Sequence, residues 1–215
     1  MTATPRYFTD RVRKQAEELE YEVASMDDES HFGPVFHKLT FGEAIKEGLL
    51  TDYQVVIIGV TDKEKRKYAE EAQLVRTKEG IQTDARTLAA QIGLSKAIKK
   101  YNLKKIITFH SSINKAFYFS DEESKDSLKG VIKWLPTNAK PSGELWTKHV
   151  TGEMSTGHRN KLLEQFRMLG NNQRGVLSNC SCLGEGVDVP ALDGVAFIDP
   201  KRSTVDIIQA LGRVI

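Results

Sequence analysis

Short apolar runs alternating with stretches of helix formers limit this chain to few folds. Residues 104–109 (Lys-Lys-Ile-Ile-Thr-Phe), 145–150, 175–178 and 195–198 are the runs, each short and strand-like. Between them lie residues 112–134, largely helical until Leu135-Pro136, and 155–169, ended by Gly170-Asn171-Asn172; residues 204–211 begin a further helix. Upstream, residues 53–60 (Tyr-Gln-Val-Val-Ile-Ile-Gly-Val) form a β-branched run suited to a strand buried on both faces. Helical stretches at 62–76 and 84–101 follow it, rich in Ala, Lys, Glu and Gln. Nearer the start, residues 6–21 are charged and periodic, 35–39 alternate like a short strand, and 41–49 read as a short helix stopped near Gly48. This β-α-β-α order predicts an α/β fold, a parallel sheet with helices on both faces. Ligands bind such sheets outside the carboxyl ends of the strands, which places functional loops near His110, Thr151, Asn179 and Asp199.

Composition narrows the class. The 31 Lys and Arg against 29 Asp and Glu leave a net charge of +2, which excludes a strongly basic tail or an acidic disordered protein. A hydrophobic share of 40% and a charged share of 28% belong to a chain with a real core. No apolar run approaches the roughly 18 residues of a membrane span, and the opening Met1-Thr2-Ala3-Thr4-Pro5 has no apolar signal core. The expectation is a cytoplasmic protein without a membrane partner. Its 215 residues fit one or two domains, with the polar, acidic stretch 25–34 as the weakest segment between parts.

Several chemistries find no support. A phosphate-binding P-loop needs Gly-x-x-x-x-Gly-Lys-Ser/Thr, where Lys supplies charge and the hydroxyl holds Mg²⁺. The nearest approach, Gly152-Glu153-Met154-Ser155-Thr156-Gly157-His158-Arg159, has His for the Lys and Arg for the hydroxyl, and Ser155 or Thr156 reads as a helix N-cap. Gly184-Glu185-Gly186 lacks the third glycine of a dinucleotide fingerprint. Cys180 and Cys182 have no second pair to complete a metal site and read as small buried residues, so no metal is expected. Asp121, Glu122 and Glu123 sit among lysines and read as a solvated helix face. No Gly-x-Ser-x-Gly elbow is present.

The informative residues run from 177 to the end. Glu185-Gly186-Val187-Asp188-Val189-Pro190 and Gln209-Ala210-Leu211-Gly212-Arg213 resemble motif V and the start of motif VI of superfamily-two helicases and translocases. Ile106-Ile107-Thr108-Phe109-His110-Ser111 is similar to motif IV, and residues 149–159 carry the family's post-strand glycine and downstream arginine. Thr2-Ala3-Thr4 resembles motif III, which closes the first motor domain. Any one motif is moderately specific; the five in order are strong. The branch most resembled is the DEAD/DEAH-like group that includes restriction-enzyme motors.

The resemblance implies a second RecA-like domain lacking a P-loop. Residues 1–50 are then the end of a first motor domain with a linker coupled through Thr2, Ala3 and Thr4, and residues 51–215 are the second domain, cut within motif VI. It implies ATP with Mg²⁺ in a longer parent protein, the first RecA-like domain of that parent as partner, and DNA as the track, with RNA also compatible. Arg213 becomes an arginine finger for the charge that builds on the γ-phosphate. Gln209, one helical turn earlier, positions the finger or the attacking water, and Gly212 lets the backbone pack closely. Asp188 accepts from ribose hydroxyls or the finger, with Glu185 and Gly186 beside it. Ser111, Ser112, Thr151, Gly152, Ser178 and Asn179 are the candidate nucleic-acid contacts, through hydroxyls and backbone amides. The family's motif V hydroxyl position is held here by Cys180, with Ser178 two residues before it. Taken singly, Arg213 reads as a surface ion pair and Asp188 as a turn cap; the joint pattern reverses that order. The other class of function is a non-catalytic nucleic-acid-binding or adaptor module with the same fold.

Overall fold

A strand that is apolar at successive positions needs cover on both faces. The computed structural model, which describes residues 7–61, 63, 85–180, 192–201 and 203–212, supplies that cover. Its strands are β1 (Lys105–Phe109), β2 (Glu144–Thr151), β3 (Gln173–Cys180) and β4 (Gly194–Phe197). They form one sheet in the order β2-β3-β1-β4, and every pairing is parallel. The helices are α1 (Asp10–Glu18), α2 (Glu29–Phe32), α3 (Phe41–Lys46), α4 (Ala85–Lys100), α5 (Ile113–Ser120), α6 (Leu128–Trp134), α7 (Thr156–Arg167) and α8 (Thr204–Leu211).

Side-chain alternation sorts the core into two layers. Ile106 and Val176, paired in register, turn to one face and pack with Leu94 and Ile98 of α4, Phe119 of α5 and Leu128 of α6. Their neighbours Ile107 and Leu177, also paired, turn to the other face and pack with Leu162, Leu163 and Phe166 of α7 and Ala210 of α8. Each such buried aliphatic or aromatic side chain contributes about 1.5–3 kcal/mol. A smaller cluster of Leu88, Ile92, Val131, Leu135 and Ala139 joins α4 to α6 and the segment after it. The expected parallel sheet with helices on both faces is therefore what the residues build.

Two contacts at the amino end of β3 fix its place. A Cβ added at Gly175 would lie 2.4 Å from both Leu169 Cδ1 and Phe166 Cε2, so only glycine lets α7 approach this closely. Arg174 is buried beside it. Its guanidinium donates to the Leu103 and Ser142 carbonyls, to Asn102 Oδ1 at 2.7 Å and to Ser142 Oγ at 2.9 Å.

Some expectations need correction. Residues 53–60 and 35–39 are not strands: they have no ladder partner among the described residues, and Val55 and Ile57 are 75% and 93% exposed. The helix expected over 112–134 is two, α5 and α6, split at Asp121 and restarted where the Ser127 hydroxyl accepts from Gly130 N–H. Glu122 in that break is not a freely solvated carboxylate; it takes Lys148 of β2 and, at 3.4 Å, Lys129. Short local contacts hold the residues before the sheet, with a Thr40–Glu43 capping box on α3 and an Arg13–Asp27 pair at 2.6 Å. The helix expected at 62–76 lies outside the described residues, save for position 63.

Candidate functional site

The carboxyl ends of β1, β2, β3 and β4 open on one edge of the sheet, and the expected loops start there. At the end of β1 the ladder runs out with Ile198 N–H donating to Phe109 O at 3.1 Å. Beyond it, Ser111 N–H and Ser111 Oγ both donate to Asp199 Oδ2, at 2.8 and 2.9 Å. Lys115 Nζ donates to Asp199 Oδ1 at 2.7 Å. Burial pulls the Asp199 carboxyl up, but the hydrogen bonds from Lys115 and Ser111 outweigh it and hold the group below its ordinary value. Ser112 then caps α5, its hydroxyl accepting from Lys115 N–H at 3.3 Å. Both serines are exposed.

Behind this edge sits a polar column inside the sheet. Thr108 Oγ1 donates to Ser178 Oγ at 3.1 Å, and His110 Nε2 lies 2.9 Å from Thr108 Oγ1. All three side chains are buried. Two hydroxyls and a ring nitrogen thus share one short chain of hydrogen bonds. Burial pushes the His110 pKa down to about 4; Asp199 opposes this and Lys115 reinforces it. The imidazole is neutral at physiological pH.

β2 supplies the second junction. Thr151 is its last residue and is buried, while Gly152 is exposed. Ser155 caps α7, its hydroxyl accepting from His158 N–H at 3.3 Å. The capping role read for this loop is thus the observed one. His149, one turn of the pleat earlier, packs edge-on to Phe117 at 5.2 Å. Burial first, then His158 and Lys148, hold its pKa below the ordinary value.

These positions divide the candidate nucleic-acid contacts. Ser111, Ser112 and Gly152 are open to solvent. The sequence places Ser178 at the end of a strand and Asn179 at the start of a loop, but β3 continues to Cys180, so both lie within the strand and are buried. The Ser178 hydroxyl faces Thr108, across the sheet and away from solvent. Asp199 stands where the sequence places the start of a functional loop, but its pairing with Ser111 was not legible there; the register that sets Phe109 against Phe197 also brings Ser111 and Asp199 opposite each other.

α8 follows the carboxyl end of β4 and carries Gln209, half-buried, with Ala210 in the core beside it. A Cβ at Gly212 would meet only Ile208 O at 3.5 Å and Gln209 O at 3.9 Å among the described residues, ordinary contacts that demand no glycine. The expected close packing at Gly212 thus finds no described neighbour. Thr2, Ala3, Thr4, Glu185, Gly186, Asp188 and Arg213 lie outside the described residues.

A parallel sheet covered on both faces, with hydroxyls and capped helix starts gathered at its carboxyl edge, defines a doubly wound α/β domain whose ligands bind at that edge. The chain belongs to the helicase conserved C-terminal domain family, which matches residues 93–215. Among its relatives is a "Probable helicase" of African swine fever virus, 26% identical over 216 residues, covering 99% of this chain and 20% of the viral protein. The "Putative ATP-dependent helicase IRC3" of Saccharomyces cerevisiae is 27% identical over 184 residues, covering 81% of this chain and 26% of the yeast protein. The chain therefore spans about a fifth to a quarter of the length of these relatives.

Proposed function

We propose that this chain is the second motor domain of an ATP-driven DNA helicase or translocase of the restriction-enzyme motor type. The observation that carries the reading is the placement of the exposed Ser112 and Gly152 just past the ends of β1 and β2. Ser112 is the cap of α5, Gly152 lies ahead of the Ser155 cap of α7, and Ser111, whose N–H and hydroxyl both go to Asp199, fixes the first junction. Exposed hydroxyls and amides at helix starts are the groups that hold phosphates without reading bases. The loop between β2 and α7 carries His158 and Arg159 where a P-loop has Lys and a hydroxyl, which supports placing ATP between this domain and a P-loop-bearing one. Arg213 supplies positive charge to the γ-phosphate as it is transferred, Gln209 orients it, and Asp188 with Glu185 and Gly186 borders the nucleotide. Residues 1–50 then end the first motor domain, with Thr2, Ala3 and Thr4 coupling the two halves. When bound, Mg²⁺ neutralises phosphate charge, and its ligands belong to the other domain. The protein works in the cytoplasm.

A labelled oligonucleotide titrated onto the chain at several salt concentrations tests this reading. Contacts through hydroxyls and amides release few counterions, so the logarithmic salt slope should stay shallower than about −2. ATP alone should be neither bound tightly nor hydrolysed by the isolated chain. Strand-stimulated ATP hydrolysis by these 215 residues without another domain would overturn it.

A further inference from the structure

Asp199 belongs to none of the motifs, yet two strand–helix junctions meet on it. The β1–β4 register pairs Phe109 with Phe197, whose rings stack at 5.4 Å, and the backbone ladder ends one bond later. Where the ladder stops, Ser111 N–H would lose its partner. The Asp199 carboxylate takes the place of the missing carbonyl at 2.8 Å and adds the Ser111 hydroxyl at 2.9 Å. Its second oxygen receives Lys115 at 2.7 Å from the first turn of α5. The side chain is 18% exposed, against 50% for Lys115, so the carboxylate is the fixed member of the pair.

We propose that Asp199 is a positioning residue for the nucleic-acid edge: it fixes the Ser111 main chain and the entry into α5, and thereby the direction in which the Ser112 hydroxyl faces a strand. The proposal rests on the function proposed above. A carboxylate repels phosphate, so Asp199 acts through Ser111 and Lys115 and touches no strand itself. Charge-assisted hydrogen bonds are about twice as strong as neutral ones, which is why a carboxylate holds this junction more firmly than a backbone carbonyl.

The test uses the protein with both motor domains and a single-stranded oligonucleotide, comparing wild type with Asp199→Ala and Asp199→Asn. For Asp199→Ala, the strand concentration that half-saturates ATP hydrolysis should rise about tenfold, while KM for ATP stays within about twofold. Asp199→Asn keeps an acceptor for Ser111 N–H and should bind the strand within about twofold of wild type. Asp199→Thr replaces the alanine variant if that one fails to fold. Unchanged or tighter strand binding by the truncated variant overturns the proposal, as does an equal loss in both variants. A parallel rise in KM for ATP marks a merely structural role and also overturns it. A wild-type protein that binds no strand overturns the functional reading, and this inference with it.

Discussion

The hydroxyl of Thr108 donates to that of Ser178 at 3.1 Å across the β1–β3 register, within the buried part of the sheet. His110 Nε2 lies 2.9 Å from the same Thr108 oxygen, and burial of the ring favours its neutral form. The column is polar but satisfied. It lies immediately behind the edge where Ser111 and Ser112 emerge.

The column makes stability depend on pH in a stated direction. Burial holds the folded His110 pKa at about 4, against an ordinary value of 6.5. Between those values the unfolded chain takes up a proton that the folded chain refuses, so stability falls as pH drops from about 6.5 to about 4. The full loss from this group is about 3 kcal/mol. Asp199 and Glu122, whose carboxyls are held low, add a further loss as pH falls through their folded values. Urea unfolding at intervals from about pH 7 to pH 4 measures the slope. His110→Gln should flatten it; an unchanged slope in the variant would contradict the assignment.

Gly175→Ala should destabilise the domain by about 1–3 kcal/mol, because the new methyl meets Phe166 and Leu169 of the α7 side at 2.4 Å. The aromatic ring of Phe166 is itself stacked on Trp146 at 5.6 Å and has little freedom to retreat. Adding Phe166→Leu to Gly175→Ala should recover part of the loss. Thermal denaturation of the two variants reads both effects.

Arg174→Lys should cost about 2 kcal/mol although the charge is kept. The planar guanidinium serves acceptors on Asn102, Leu103 and Ser142 together, a fork that an ammonium cannot reproduce. The midpoint of urea unfolding should fall accordingly. A lysine variant as stable as wild type would mean that the charge alone matters.

Much of the sheet was legible because its strands are apolar at consecutive positions while the intervening segments favour helices. The expected runs at 104–109 and 145–150 match β1 and β2 to within a residue. Periodicity says nothing about partners, however, and that is why residues 53–60 read as a strand without being one. It also fails at strand ends. Ser178 and Asn179 are polar, so the strand was expected to stop near them, yet the Thr108 hydroxyl and the pairing of Phe109 with Asn179 carry β3 on to Cys180. The split between α5 and α6 had a local signal in Ser127, a capping residue within an acidic and serine-rich stretch. Asp199 was legible as a loop start at the end of a strand, but its contact with Ser111 had no local signal, since the two are 88 residues apart and only the β1–β4 register brings them together.

In the function proposed above, this domain completes an ATP site that it does not itself contain. Strand-stimulated ATP hydrolysis by the two-domain protein carrying Arg213→Ala is the decisive measurement. An arginine finger is worth about 10³–10⁵ in kcat, so the variant should lose roughly a thousandfold or more in turnover while KM for ATP changes little. Gln209→Ala should reproduce the loss to a smaller degree. Turnover within about threefold of wild type in the Arg213→Ala protein would contradict the account.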